Sequence, residues 1–174
     1  MRMNRVFSVL ILLKQIDFFP FLRYNEKKMV PLAPFYGRIS MHAYLHKVQY
    51  YETDKMQLTH HSNYIRFMEE ARIDFFEKLG FPYHLFEGEG IVSPVVRLSC
   101  DFKKPTTYPD MISVSVSVSE CKKLKFTLQY TMCVDNKVVA TGTSTHCFLN
   151  KEGKPVPFTD FPAFYEAMQK CINQ

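Results

Sequence analysis

From residue 44 onward the chain switches between two hydrophobic periods, and each switch marks an element. Tyr44, His46, Val48 and Tyr50 alternate with Leu45, Lys47 and Gln49, the two-residue repeat of a strand with one face turned inward. Over 63–79 the repeat lengthens. Tyr64, Met68, Ala71, Phe75 and Leu79 recur at three- and four-residue steps, Phe67 and Phe76 widen the stripe, and Gly80 ends what reads as an amphipathic helix. From 91 the two-residue repeat returns, giving a strand over 91–102 that Pro94 interrupts near its start and Pro105 closes. Residues 112–119 read Ile-Ser-Val-Ser-Val-Ser-Val-Ser, which places every branched aliphatic on one face and every hydroxyl on the other. Phe126, Leu128, Tyr130 and Met132 repeat the pattern, and Asp135-Asn136 supplies a tight turn into a strand over 137–148. That strand carries a face of small residues, Ala140, Gly142 and Ser144, which lets a helix approach closely. Asp160 and Pro162 open a short final helix over 160–170.

The predicted order is strand, long helix, four antiparallel strands and a short helix, an α+β architecture in which one helix covers the apolar face of one sheet. A chain of 174 residues with 47% hydrophobic content fills one core, so a single domain is expected. Phe and Tyr make up the whole 15% aromatic share and must be buried in a core, an interface or a ligand channel. Residues 1–40 differ from the rest: they hold Pro20, Pro31 and Pro34 and no sustained period. Arg2, Arg5 and the apolar run 6–13 imitate the start of a signal peptide, but Lys14 and Asp17 interrupt it and no small-x-small site follows. The run is too short to span a bilayer. We read 1–40 as a poorly ordered appendage, or as a segment upstream of a true start at Met41, and 41–174 as the working domain.

The net charge of +5 favours an anionic partner, yet the dense Lys/Arg blocks of a nucleic-acid arm are missing, so no nucleic-acid partner is expected. Five widely spaced cysteines without a CxxC pair suggest neither a zinc knuckle nor a disulfide framework. Reduced thiols in a cytoplasmic protein are the simpler reading, with no transmembrane segment.

The densest polar cluster, 50–64, lies between the first strand and the long helix. A helix N-terminus presents unpaired N–H groups and a partial positive charge, so the stretch from His61 to Asn63 can stabilise an oxyanion. A carboxylate a few residues earlier, Asp54, can then attack or act as base at the same carbonyl. By composition alone Asp54 reads as well as a loop acid capping backbone donors. Adjacent His60 and His61 seldom turn both imidazoles to one metal, and His146-Cys147 point to opposite faces of a strand, so neither pair makes a site. Lys103-Lys104 and Lys122-Lys123, with Lys125 close behind, sit at strand ends, where they are solvated loop charges or a grip on phosphates.

The run Tyr50-Tyr51-Glu52-Thr53-Asp54, followed by His60-His61-Ser62-Asn63-Tyr64 and by Glu69-Glu70-Ala71-Arg72, resembles the N-terminal signature of the 4-hydroxybenzoyl-CoA thioesterase family. The resemblance extends through Ser93-Pro94-Val95-Val96, Tyr108-Pro109-Asp110 and Ser144-Thr145-His146-Cys147-Phe148, about the whole of 41–174. It implies a hot-dog fold, a long central helix wrapped by a curved antiparallel sheet, with sites between the subunits of a homodimer or dimer of dimers. It implies an acyl-CoA thioesterase that uses no metal or other cofactor. Asp54 takes the place of the family's nucleophile or general base, and the His61 backbone N–H that of its oxyanion donor. Tyr50, Tyr51 and the His61 side chain are supporting candidates. Asn63, Lys103, Lys104, Lys122 and Lys123 are candidates for substrate binding. The alternatives are an acyl carrier protein thioesterase and a non-catalytic acyl-thioester-binding protein; a hydratase lacks its His-containing signature here. One departure stands out: the family has Gly after the Met at position 56, and this chain has Gln57. Gly reaches backbone conformations that Gln avoids, which opens the loop geometry to question.

Overall fold

The chain is described by a computed structural model over residues 43–172. The expectation for residues 1–40 lies outside the described residues. Strand β1 (Tyr44–Lys47) leads through a 3-10 turn at Tyr50–Glu52 and a loop to helix α1 (His61–Lys78), then to a short helix α2 (Tyr83–Gly88). Four longer strands follow: β2 (Val95–Phe102), β3 (Met111–Cys121), β4 (Phe126–Val134) and β5 (Lys137–His146). A two-stranded ribbon, β6 (Phe148–Leu149) with β7 (Pro155–Val156), precedes a 3-10 turn and helix α3 (Pro162–Ile172).

Strand β1 and the four longer strands form one antiparallel sheet in the order β1-β3-β4-β5-β2. The alternating sequence of β3 does what its pattern requires. Ile112 and Val114 are fully buried, while Ser115 and Ser117 are exposed. The other face carries hydroxyls that bond across strands, Thr127 with Thr145 at 3.0 Å and Ser99 with Thr143 at 2.7 Å. Helix α1 buries Tyr64, Phe67, Met68, Ala71, Phe75 and Phe76, and ends at Gly80, whose φ of +87° is the left-handed conformation that closes a helix.

Gly142 explains how α1 lies so near the sheet. A Cβ there would stand 2.9 Å from both the Met68 sulfur and the Ser99 carbonyl oxygen. The small-residue face therefore admits the helix, as its pattern predicts. The aromatic excess goes mainly to the core: the buried Phe164 ring of α3 lies 5.3 to 6.0 Å from those of Phe76, Phe81, Phe86, Phe126, Phe148 and Phe158. Each ring so buried contributes about 2 to 3 kcal/mol of transfer free energy.

Several boundaries differ from the pattern. The first strand ends at Lys47, because the chain turns into the 3-10 turn and leaves Tyr50 exposed. The strand foreseen over 91–102 begins only at Val95: Ile91 folds back to the Phe86 carbonyl, and Pro94 has no N–H to give a ladder. The strand foreseen over 137–148 breaks after His146, and Phe148 pairs instead with Val156. The final helix starts at Pro162, since Asp160 closes a 3-10 turn of its own.

Candidate active site

The loop between β1 and α1 is held as a compact turn. Asp54 N–H donates to the Leu58 carbonyl at 2.8 Å, and Gln57 N–H to the Asp54 carbonyl at 2.9 Å. Asp54 Oδ1 accepts from the backbone N–H of Met56 at 2.7 Å and more weakly from that of Leu58 at 3.4 Å. A side chain bonding the backbone two residues on is the Asx turn that Asp favours in loops. Asp54 thus does cap its own loop, but with one oxygen. Oδ2 has no protein partner among the described residues.

Gln57 adopts φ +61°, a conformation uncommon for residues other than glycine. Its carbonyl accepts from Thr107 Oγ1 at 2.6 Å and its side chain is exposed. The loop therefore keeps the backbone shape that a glycine would give, at a strain cost of about 1 to 2 kcal/mol. A second loop, 105–110, clamps the first. Thr59 N–H donates to the Thr106 carbonyl, Thr106 Oγ1 donates to Thr59 Oγ1 at 2.7 Å, and the buried Tyr64 hydroxyl meets Thr106 Oγ1 at 2.8 Å. Burial pushes the Tyr64 phenol above its ordinary pKa, so it stays a neutral hydrogen-bonding group.

Helix α1 begins at His61, and among the described residues its N–H meets no protein acceptor. Together with Asp54 it lines an open cleft of about 370 Å³, whose other walls include Met56, Tyr64, Phe102, Lys103 and Lys104. The cleft offers a carboxylate, a helix N-terminus carrying about half a positive charge, aromatic walls and two ammonium groups. That combination can hold an anionic, partly apolar ester and stabilise charge on its carbonyl.

The other candidates fall elsewhere. Asn63 is buried, and its Nδ2 donates to the Glu52 carbonyl at 2.8 Å, so its side chain ties α1 to the preceding turn and does not line the cleft. Tyr50 and Tyr51 are 78% and 80% exposed and lie outside the cleft wall; Tyr50 packs edge-on against Tyr108 at 6.0 Å. Lys122 and Lys123 follow the far end of β3, whereas the start of β3 follows Asp110, which bonds Val48 beside the Asp54 loop. Eleven strand residues separate the two ends by roughly 35 Å. Within one chain these two lysines do not reach Asp54. Sequence reasoning missed Phe102 and Thr106, whose roles depend on the 105–110 loop folding over 53–59. It also missed His46 and Glu52 as partners. A His on the inward face of β1 was the available signal, because a polar ring there needs one.

The fold is the hot-dog fold, and 70–74% of the chain superposes on two solved structures at 32–34% identity. One is DHNA-CoA thioesterase from Staphylococcus aureus, 32% identical, with a TM-score of 0.71 over 74% of this chain and 89% of that one. Another is a hypothetical protein of Aquifex aeolicus, 34% identical, with a TM-score of 0.67 over 70% of this chain and 96% of that one. The gentisyl-coenzyme A thioesterase BH1999 is 28% identical, with a TM-score of 0.63 over 66% and 94%. The profile of the thioesterase-like superfamily matches residues 48–168, and the chain belongs to that family. It is a thioester hydrolase.

Proposed function

We propose that the protein hydrolyses acyl-coenzyme A thioesters to the free acid and the thiol, with Asp54 as nucleophile or general base. The observation that carries this reading is a single cleft holding Asp54 and the open N–H of His61. The thioester carbonyl lies toward the His61 N–H, which takes up negative charge as the carbonyl carbon becomes tetrahedral. Asp54 Oδ2, free of the loop's own bonds, attacks that carbon or takes a proton from the attacking water. Collapse expels the thiolate, which takes up a proton to leave as the thiol; after direct attack, water then cleaves the anhydride on Asp54 to release the acid. The reading assigns no step to a metal or cofactor. Lys103 and Lys104 offer mobile positive charge to the phosphates of the carrier; an acidic acyl carrier protein would meet the same charges.

The active unit in this reading is a homodimer, or a dimer of such dimers. Strand β2 is one of the two sheet edges, and Val95, Val96, Leu98 and Phe102 are 38–52% exposed along it, an apolar edge that a second copy would cover. Phe102 belongs to both this edge and the cleft, so the partner would wall the site. The activity resides in 41–174 and in the cytoplasm, in keeping with five free cysteines; none of the described helices is long and apolar enough to cross a membrane.

Asp54→Asn tests the assignment. Asparagine keeps Oδ1 for the Met56 and Leu58 N–H groups, so the loop should hold while turnover on a panel of acyl-CoA esters falls about a hundredfold or more. His61→Ala retains the backbone N–H and should cost at most about tenfold. Near-normal turnover in Asp54→Asn would overturn the role of Asp54, and hydrolysis confined to acyl carrier protein esters would change the substrate.

A further inference from the structure

His46 stands between two carboxylates. Its Nε2 lies 2.9 Å from Glu52 Oε2 and its Nδ1 3.1 Å from Glu70 Oε2, and the ring packs on Phe67 at 4.0 Å between centroids. A neutral imidazole has one N–H and one acceptor nitrogen, so it can donate to only one of two carboxylates. An imidazolium donates to both. Glu52 is itself 6% exposed, and its Oε2 also takes the Gln49 N–H at 2.7 Å. A carboxylate so buried is stabilised by a paired positive charge, and His46 is the only side chain hydrogen-bonded to it among the described residues. The other titratable groups of this cluster are Tyr44, which donates to Glu70 at 2.9 Å, and Asp74, which acts on Tyr44 and is ion-paired with Lys78. Tyr44 is pushed up to about 12, first by burial and then by Glu70, and so remains a donor.

Glu52 is also where the two halves of the site meet. Its carbonyl accepts from the His60 N–H at 2.8 Å and from Asn63 Nδ2 at 2.8 Å, which fixes the start of α1. Asp54 follows two residues later. We propose that His46 is a positioning residue for hydrolysis, an imidazolium that clamps the Glu52 turn of the Asp54 loop to Glu70 on α1 and thereby sets Asp54 against the His61 N–H. A ring with one N–H can hold only one of the two carboxylates, leaving Glu52 to the Gln49 N–H or Glu70 to the Tyr44 hydroxyl; the clamp then loosens, so turnover falls as pH rises. The proposal rests on the thioesterase reading of the Asp54 cleft.

The test follows kcat and KM against pH for the full-length wild type, His46→Gln and Glu52→Gln, with spontaneous thioester hydrolysis subtracted, beside 15N histidine NMR of the wild type. His46→Gln should lower kcat about tenfold and leave KM within about twofold, since an amide cannot donate strongly to both carboxylates. Glu52→Gln removes the buried charge that requires the second proton, and its profile should lose the alkaline fall that the wild type shows. The His46 ring should give two N–H-bearing nitrogens wherever turnover is full and lose one in step with kcat. A wild-type profile without an alkaline fall, the same profile in Glu52→Gln, or a neutral His46 ring at full turnover would overturn the proposal. If His46→Gln fails to fold, the Glu52→Gln profile and the NMR signal still decide it. Absence of wild-type turnover on every ester would defeat the thioesterase reading instead, and the NMR signal would then stand alone as the test of the clamp.

Discussion

Acid should destabilise this protein through His146 more than through any surface group. The ring is fully buried at the end of β5, stacked on Phe126 at 5.0 Å, with Nε2 2.7 Å from Ser144 Oγ. Burial, and then the charge of Arg72, push its pKa from 6.5 down to about 3, so the folded protein holds the ring neutral. The unfolded chain binds a proton near pH 6.5 and the folded one does not. Stability from this group is therefore complete above the unfolded pKa and is lost as pH falls toward the folded one. The whole interval corresponds to about 5 kcal/mol, and about 3 kcal/mol is gone by pH 4.5, at 1.36 kcal/mol per pH unit. Urea unfolding followed by circular dichroism, at about pH 7 and about pH 4.5 and at fixed protein concentration, measures this in wild type and His146→Gln. Other carboxylates titrate in both proteins, so the difference between the two slopes isolates His146. The wild type should lose about 3 kcal/mol more than the variant; equal losses would show that the ring is already charged, or solvated, in the folded state.

Gly142→Ala should destabilise the fold by about 1 to 3 kcal/mol in the same assay, because the new Cβ meets the Ser99 carbonyl as well as the flexible Met68. Gln57→Gly should relieve left-handed strain, offset by the entropy glycine adds to the unfolded chain, for a net change within about 1 kcal/mol. Steady-state kinetics should keep its turnover within about twofold, and a tenfold change would mean that the Gln57 side chain takes part. Replacing Lys103 and Lys104 together with Ala should raise KM for acyl-CoA about three- to tenfold at low salt, with the gap closing above 0.1 M salt, where screening acts within about 10 Å. The matching Lys122/Lys123 variant should behave as wild type within one chain's geometry, and an equal rise there would show that a partner subunit brings those lysines to the site.

Local pattern was enough for the main strands and the long helix, and for the position of the Asp54 loop between them. The alternation of β3, the stripe on α1 and the small face of β5 are properties of neighbours in sequence, whose periodicity decides which side chains share a face. Asp54 beside a helix start was legible for the same reason. The rest needed contacts between residues far apart in the chain. β2 lies next to β5 and β1 next to β3, so the order of strands cannot be read from their succession. The 105–110 loop closes over the Asp54 turn through Thr106 and Thr107, some fifty residues away, and brings Phe102, Lys103 and Lys104 to the cleft while Lys122 and Lys123 stay at the far end of the sheet. Gln57 could be flagged in sequence as a departure, but its φ of +61° follows from bonds to Asp54 and Thr107 that only the folded loop supplies. The sequence alone settled which residue types stand next to one another along each strand and helix. Tertiary structure decided which of them meet, because hydrogen bonds and burial depend on distances in space that a one-dimensional period does not encode.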